Sequence, residues 1–259
     1  MKSFKNKIVF ITGATSGIGK AAADLFAEVG AKLLLCARRF EKLEQIKKEY
    51  EEKYNSEVHI FKLDVRSSID VEHEINSLPD KWKKIDLLLN NAGLSRGLDK
   101  IQDGKIQDWD EMIDTNVKGL LYVSRSVIPL MLKMESAHII NLGSIAGREL
   151  YPGGNVYCAS KFAVDAITKG MRIDLMDTPI KVSTVDPGLV KTDFSLVRFR
   201  GDEEKAKIPY KGIEPLSAED VAETIFYVAT RNDNVNIAEV IMFPKAQAGA
   251  AFVQRKTNN

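Results

Sequence analysis

Lys7-Ile-Val-Phe-Ile-Thr12 runs without a break into Gly13-Ala-Thr-Ser-Gly17-Ile-Gly19, and then into Lys20-Ala-Ala-Ala-Asp-Leu-Phe26. An apolar run, a glycine turn and an amphipathic stretch in that order predict strand, tight turn and helix. Ile8–Ile11 is apolar at every position, as suits a strand covered on both faces. Glycines let a backbone approach a pyrophosphate closely, and a helix N-terminus offers unpaired N–H groups at the positive end of its dipole. The spacing is G-x-x-x-G-x-G rather than G-x-G-x-x-G, and such a turn alone also suits a mere tight connection. Its position between the first strand and the first helix is what points to a phosphate-facing loop of Gly13, Thr15, Ser16, Gly17, Ile18 and Gly19.

The same alternation continues along the chain. Strand-like runs follow at Lys32–Ala37, Val58–Leu63, Ile85–Asn90, Ala137–Leu142, Ile180–Val185 and Asn236–Phe243, after the first at Lys7–Thr12. Helical patterns occupy Ile18–Val29, Phe40–Tyr54, Ser68–Leu78, Trp109–Met134, Val156–Met176 and Ser217–Thr230. This predicts right-handed βαβ units in one doubly wound α/β domain over residues 1–259, a Rossmann-type parallel sheet of about seven strands with helices on both faces. Gly30 suits a helix C-terminus, Ser217-Ala-Glu-Asp220 a capping-box start, and Pro129 a kink or early end of the long fourth pattern. Val190–Leu216 lacks periodicity, and a loop of that length inside a compact domain reads as an active-site lid.

Composition removes several classes of function. Among 259 residues, 37 Lys and Arg against 36 Asp and Glu leave a formal charge of +1, which offers no basic field for nucleic acid or an anionic membrane. Cys36 and Cys158 stand 122 positions apart without C-x-x-C spacing, so we expect reduced thiols in the cytoplasm and no metal centre. Neither a membrane span nor a signal peptide is expected, because the apolar run behind Lys2, Lys5 and Lys7 is too short. The C-terminal Gln254–Asn259 carries no lipidation or retention signal. His59, His73 and His138 lack ligand spacing. Cys158, Trp82 and Trp109 read as packing residues, and the mixed charges of Glu41–Lys53 as a solvated helix face.

The second strand ends at Cys36-Ala37-Arg38-Arg39, where a dinucleotide fold sets an acid against the adenosine ribose 2′-hydroxyl. Two arginines stand there instead. Guanidinium forks match phosphate oxygens, so NADP(H) is expected over NAD(H). Downstream, Tyr157-Cys-Ala-Ser-Lys161 sets a phenol and an amine four apart, on one face of a helix. A phenol with its ordinary pKa near 10 is a poor acid–base catalyst at neutral pH, and a neighbouring ammonium favours its ionised form. Such a pair often occurs by chance. Three further features accompany it at the same sheet edge or early in the long helical pattern: Ser144 just after Ile139-Ile-Asn-Leu142, Asn90-Asn-Ala-Gly93, and Asn116 in Asp114-Thr-Asn-Val117.

In order and spacing these elements resemble the short-chain dehydrogenase/reductase family across essentially the whole chain. The resemblance implies that Tyr157 donates or accepts the proton and that Ser144 positions the substrate oxygen. Lys161 would lower the tyrosine pKa and bind the nicotinamide ribose; Asn116 would hold a helix kink and a water of the proton relay. By the same resemblance Asn91, Ala92 and Gly93 support the cofactor, Asp64 and Val65 meet the adenine, and Pro187, Gly188, Val190 and Thr192 meet the carboxamide end. Relatives of this kind are homotetramers built through the fourth and fifth helices and the last strand.

Outside these motifs, Ser77-Leu-Pro-Asp80, Asn90–Leu94, Gly153-Gly-Asn-Val-Tyr157 and Phe194-Ser-Leu-Val-Arg-Phe-Arg-Gly-Asp202 resemble the NADP-dependent 3-hydroxy acid dehydrogenases. That branch, with its serine and L-allo-threonine dehydrogenases, implies a small hydroxy acid or aldehyde substrate. Rival readings are reduction of a 3-oxoacyl thioester, a sugar-derived ketone or sulfoacetaldehyde, and a cofactor-sensing protein without catalysis. A small acid needs a cation, for which Arg198, Arg200 and Arg148 are candidates and Arg198 is favoured. Arg96 departs from the apolar residue expected in bacterial relatives.

Overall fold

Every one of the seven apolar runs forms a strand in the computed structural model, which describes residues 2–256. The end of the C-terminal sequence, Thr257–Asn259, lies outside the described residues. The strands are β1 (Ile8–Thr12), β2 (Lys32–Ala37), β3 (Val58–Lys62), β4 (Ile85–Asn90), β5 (Ala137–Leu142), β6 (Ile180–Pro187) and β7 (Glu239–Met242). They pair in parallel in the order β3-β2-β1-β4-β5-β6-β7. The order reverses between β1 and β4, so the connections leaving their C-terminal ends diverge and open a crevice there.

Strand residues alternate between two cores. Val9 and Ile11 of β1 join Leu33 and Leu35 on one face, under α1 (Gly17–Glu28), α2 (Phe40–Tyr54) and a late helix, Ala218–Ala229. Ile8 and Phe10 join Leu34 and Leu88 on the other, under α3 (Ser68–Asn76) and the middle helices. Burial on both faces is why these strands are apolar without interruption. Phe26 of α1 is fully buried, worth about 1.5–3 kcal/mol in removed apolar surface. Behind α1, Gly30 takes φ 79° while its N–H and that of Ala31 reach back to Ala27 and Phe26, as a glycine after a helix does.

The long fourth pattern divides into α4 (Ile106–Ile113), a π-helical segment (Asp114–Gly119) and α5 (Leu120–Met131). Pro129 does not end α5 at its own position; the helix continues two residues beyond it, to Met131, although the proline has no N–H to give the Arg125 carbonyl. Next come α6 (Asn155–Asp174), α7 (Phe194–Arg198), α8 (Glu203–Lys207) and α9 (Ala218–Ala229). The aperiodic stretch Val190–Leu216 therefore holds two helices of a single turn or so, too short to show periodicity in sequence. Ser217 and Asp220 form the expected capping box at α9. No helix among the described residues is long and apolar enough to cross a membrane.

Candidate active site

The turn after β1 is strapped to its neighbours by backbone. Gly13 N–H donates to the Cys36 carbonyl (2.9 Å), and Asn91 Nδ2 donates to the carbonyls of Thr12 (2.9 Å) and Gly13 (3.2 Å). The Asn91 and Ala92 N–H groups both donate to Thr12 Oγ1, fixing the loop after β4 against the turn. Gly13 and Gly17 occupy the left-handed region, at φ 69° and 55°. A Cβ at Gly19 would meet the Gly13 carbonyl at 2.6 Å and the Asn91 amide, so Gly19 lies beneath the turn, outside the cleft lining. Ser16, before α1, makes no capping bond with its side chain, which leaves the first-turn N–H groups of Gly17 and Ile18, both residues of the cleft lining, without a side-chain acceptor among the described residues.

That cleft has a volume of about 1340 Å³ and runs along the C-terminal ends of β1, β2, β4, β5 and β6. Thr15, Ser16, Arg38, Arg39, Asp64 and Val65 line one end, and Ala92, Gly93, Ser144, Tyr157, Lys161, Pro187, Gly188, Val190 and Thr192 the other. Arg38 and Arg39 are exposed, and Arg39 Nη2 donates to Thr15 Oγ1 and Ser16 Oγ at 2.9 Å each. Burial pushes Asp64 up, but the Arg66 guanidinium outweighs it and holds the carboxylate below its usual range. Open helix-N-terminal donors, a glycine cradle and two arginines where an acid would stand fit a dinucleotide that carries an additional phosphate on its adenosine ribose.

At the other end, β5 delivers Ser144 to the cap position of a 3₁₀ turn, where its Oγ accepts from the Ala146 N–H (3.1 Å). Helix α6 presents Tyr157 and Lys161 one turn apart, 8% and 7% exposed. Lys161 Nζ donates to the Leu142 carbonyl at 2.8 Å. Burial lowers its pKa to about 8, with Asp186 opposing. The phenol departs from what the pattern suggested. Burial, aided by Tyr151, pushes Tyr157 above its ordinary value, and the groups pulling it back are Arg198 and the Ser144 hydroxyl. Desolvation outweighs the neighbouring charges here because the ring is enclosed, packed edge-on against Phe194 at 5.5 Å between centroids.

Of the three candidate arginines, Arg198 alone faces the phenol. Its Nε donates to Ser95 Oγ (3.0 Å) and its Nη2 to the Tyr151 hydroxyl (2.8 Å). Its guanidinium carbon lies 5.3 Å from the Tyr157 ring centroid and 5.1 Å from that of Phe194. Arg200 pairs with Asp108, and Arg148 with Asp186 (2.6 Å), Glu239 (2.7 Å) and Asp165 (3.2 Å). Arg96 pairs with Glu111 at 2.6 Å and reaches the Val197 carbonyl, tying α7 to the segment after β4.

Asn116 is buried in the π-helical segment, outside the cleft lining. Its Oδ1 accepts from the Leu94 N–H and its Nδ2 donates to the Leu94 carbonyl, both at 2.8 Å, and to Ser160 Oγ at 3.0 Å. Gln247 closes the far side: its Oε1 accepts from the Leu189 N–H (2.8 Å) and sits where a Cβ at Gly188 would fall. The segment 246–256 thus folds over its own chain's cleft, where Ala250 N–H meets Glu149 and Lys256 N–H meets Gly212. Ser95, Tyr151, Phe194 and Gln247 were not legible as site residues, since no fixed spacing marks them. Cys158 and Trp82 are buried packing residues, His138 is buried against Ser183 Oγ (2.7 Å), and no group of three or more metal-binding side chains forms among the described residues.

A seven-stranded parallel sheet with a glycine-lined dinucleotide cleft ending on serine, tyrosine and lysine defines a class, and the chain belongs to it: the short chain dehydrogenase family, matched over residues 7–202. The NADP-dependent 3-hydroxy acid dehydrogenase of Schizosaccharomyces pombe is 48% identical over 99% of this chain and 99% of its own. Sulfoacetaldehyde reductase 2 of Chromohalobacter salexigens is 44% identical, covering 95% of this chain and 97% of its own. Among solved structures, the closed form of serine dehydrogenase complexed with NADP⁺ is 41% identical with a TM-score of 0.90, over 96% of this chain and all of that one.

Proposed function

We propose that the protein is an NADP(H)-dependent oxidoreductase that interconverts small 3-hydroxy acids, of the serine, L-allo-threonine, 3-hydroxypropionate or 3-hydroxyisobutyrate type, with their 3-oxo forms. One observation carries the reading: the Arg198 guanidinium stands 5.3 Å from the Tyr157 ring, so an anion-binding group faces a proton-transfer group across one small space. A 3-hydroxy acid has a carboxylate for the first and a hydroxyl for the second. In reduction the neutral Tyr157 phenol gives its proton to the carbonyl oxygen and leaves as phenolate; in oxidation Ser144 orients the hydroxyl and Tyr157 takes its proton in the phenolate form, which Arg198, Lys161 and the cationic nicotinamide of bound NADP⁺ would favour against burial. Lys161 keeps positive charge beside the phenol and holds the nicotinamide ribose. NADP⁺, when bound, supplies hydride acceptance. Gly13, Thr15, Ser16, Gly17 and Ile18 form the pyrophosphate cradle with Gly19 packed beneath them, Arg38 and Arg39 hold the 2′-phosphate, and Asp64 and Val65 flank the adenine. Asn91, Ala92, Gly93, Pro187, Gly188, Val190 and Thr192 enclose the nicotinamide end, while Asn116 secures the Leu94 loop beside it.

The reading takes 1–259 as one domain in which 190–216 is the substrate lid, with Arg198 on its inner side. It also takes the protein as a cytoplasmic homotetramer, assembled through α5, α6 and β7. The exposed apolar residues Leu121 and Leu132 at α5, Phe162 and Ile173 on α6 and Ile241 on the edge strand β7 support that assembly. A sulfonate would satisfy Arg198 as a carboxylate does, which keeps sulfoacetaldehyde as the second substrate reading. A panel of 3-hydroxy acids and isethionate, assayed with NADP⁺ and NAD⁺ by absorbance of the reduced nicotinamide, tests both. Turnover of a 3-hydroxy acid with NADP⁺ is expected. Preference for NAD⁺ at equal concentration, or for isethionate over every carboxylic acid, would overturn the assignment.

A further inference from the structure

Beneath the catalytic edge lies a buried carboxylate that the reaction as described does not use. Asp186, at the end of β6, is 2% exposed. Its Oδ1 accepts from Thr184 Oγ1 (2.7 Å) and packs where a Cβ at Gly143 would fall, directly under the backbone that leads to Ser144. Its Oδ2 accepts from both Nε (3.1 Å) and Nη2 (2.6 Å) of Arg148. Arg148 is braced in turn by Asp165 of α6 and Glu239 of β7. The register of β5 on β6 sets Leu142 beside Val185, and the Leu142 carbonyl is the acceptor of Lys161 Nζ. The lysine headgroup is therefore anchored at the end of the β5–β6 pair where Asp186 follows Val185, near enough to feel its charge without forming a direct ion pair.

We propose that Asp186 is a positioning residue for the reaction: a buried counter-charge, oriented by Arg148 and Thr184, that keeps the Lys161 headgroup an ammonium ion at the Leu142 carbonyl. Buried cations lose their proton unless an opposite charge compensates. The surroundings of Lys161 leave Asp186 as its principal compensating group. From α6 itself come Tyr157, whose phenol burial holds neutral, and Asp165, which pairs with Arg148 and Lys169. From the segment after β5 comes Arg148; from α7, Arg198; from β7, Glu239, which pairs with Arg148. The loop after β4 presents Asn91 and Gly93, neither of them ionisable. Attraction between Asp186 and Lys161 acts on both groups, opposing the loss of charge that burial imposes on each.

This inference rests on the role proposed for Lys161, so its test separates the two. Protein carrying ¹³Cε-labelled lysine, without cofactor, is titrated by NMR, with the Lys161 resonance assigned by its loss in Lys161→Arg. Wild type is expected to titrate near pH 8, with a second, smaller inflection in the acid range as Asp186 takes up a proton. In Asp186→Asn the main step falls by about one pH unit or more and the acid inflection disappears. Asp186→Glu restores the charge and moves the step back. In turnover, Asp186→Asn brings the alkaline limb of reductive kcat/KM down by the same interval, leaving KM at neutral pH little changed. A Lys161 step that does not move in Asp186→Asn, or a wild-type resonance with no acid inflection, would overturn the proposal; the second measurement does not need any Asp186 variant to fold. Shifted titration without turnover of any hydroxy acid would uphold the coupling and sink the proposed function alone.

Discussion

Tyr157 sits between opposing influences: enclosure by Phe194 and Tyr151 favours the neutral phenol, and Arg198 and Ser144 favour its ionised form. A residue so enclosed is replaceable by Phe at almost no packing cost, so Tyr157→Phe isolates the hydroxyl. Turnover should fall by about 10²–10⁴-fold or more, as when a general acid–base is deleted, while NADP⁺ affinity from fluorescence titration stays close to wild type. Arg198 makes the complementary case. Charge-assisted hydrogen bonds are worth about 1.5–3 kcal/mol, so Arg198→Ala should raise KM for a 3-hydroxy acid by about tenfold or more. The NADP⁺ dissociation constant should be unchanged. An unchanged KM would remove Arg198 from the substrate.

The elements hold these side chains through a few local devices. The π-helical segment 114–119 turns Asn116 inward, where one amide satisfies both backbone groups of Leu94 and anchors the loop that carries Ser95 to Arg198. Two substitutions separate function from stability at this scale. Gly19→Ala sets a methyl group against the Gly13 carbonyl and the Asn91 amide, so the turn must shift. Dinucleotide affinity should drop by about tenfold, a shift of roughly 1.4 kcal/mol read by calorimetry. Ser217→Ala removes the capping box of α9, whose residues do not line the cleft, and should cost about 1 kcal/mol of stability in denaturant with kcat and KM intact.

Across the whole molecule, buried ionisable groups set how the fold responds to acid. His138 of β5 is 4% exposed; its Nε2 meets Ser183 and its Nδ1 has no partner among the described residues. Burial, with Lys181 and Lys2 adding to it, lowers its pKa to about 3. The unfolded chain, with a histidine pKa of roughly 6.5, binds that proton first, so stability falls as pH drops from there toward 3. Melting temperature should therefore decline between pH 7 and 4.5, and His138→Asn should flatten that decline. A slope identical in both proteins would assign the acid sensitivity elsewhere.

Reading residues in order was enough for the sheet, the glycine turn and the serine, tyrosine and lysine, because period and spacing are local properties and each strand's apolar run records its burial on two faces. β2, β4 and β5 fall on the expected boundaries, and Arg38 and Arg39 follow β2 where an acid would otherwise stand. Local pattern failed where the chain uses single turns: α7 and α8 span five residues each, too few for a helical period to emerge. It failed equally for Ser95, Tyr151, Asp186 and Gln247. Their partners lie 103, 47, 38 and 58 positions away along the chain. Which arginine faces the phenol, and which sign the phenol's shift takes, depends on who shares a closed space. Only folding in three dimensions sets that, because desolvation and Coulomb attraction act through distance and burial and not through order along the chain.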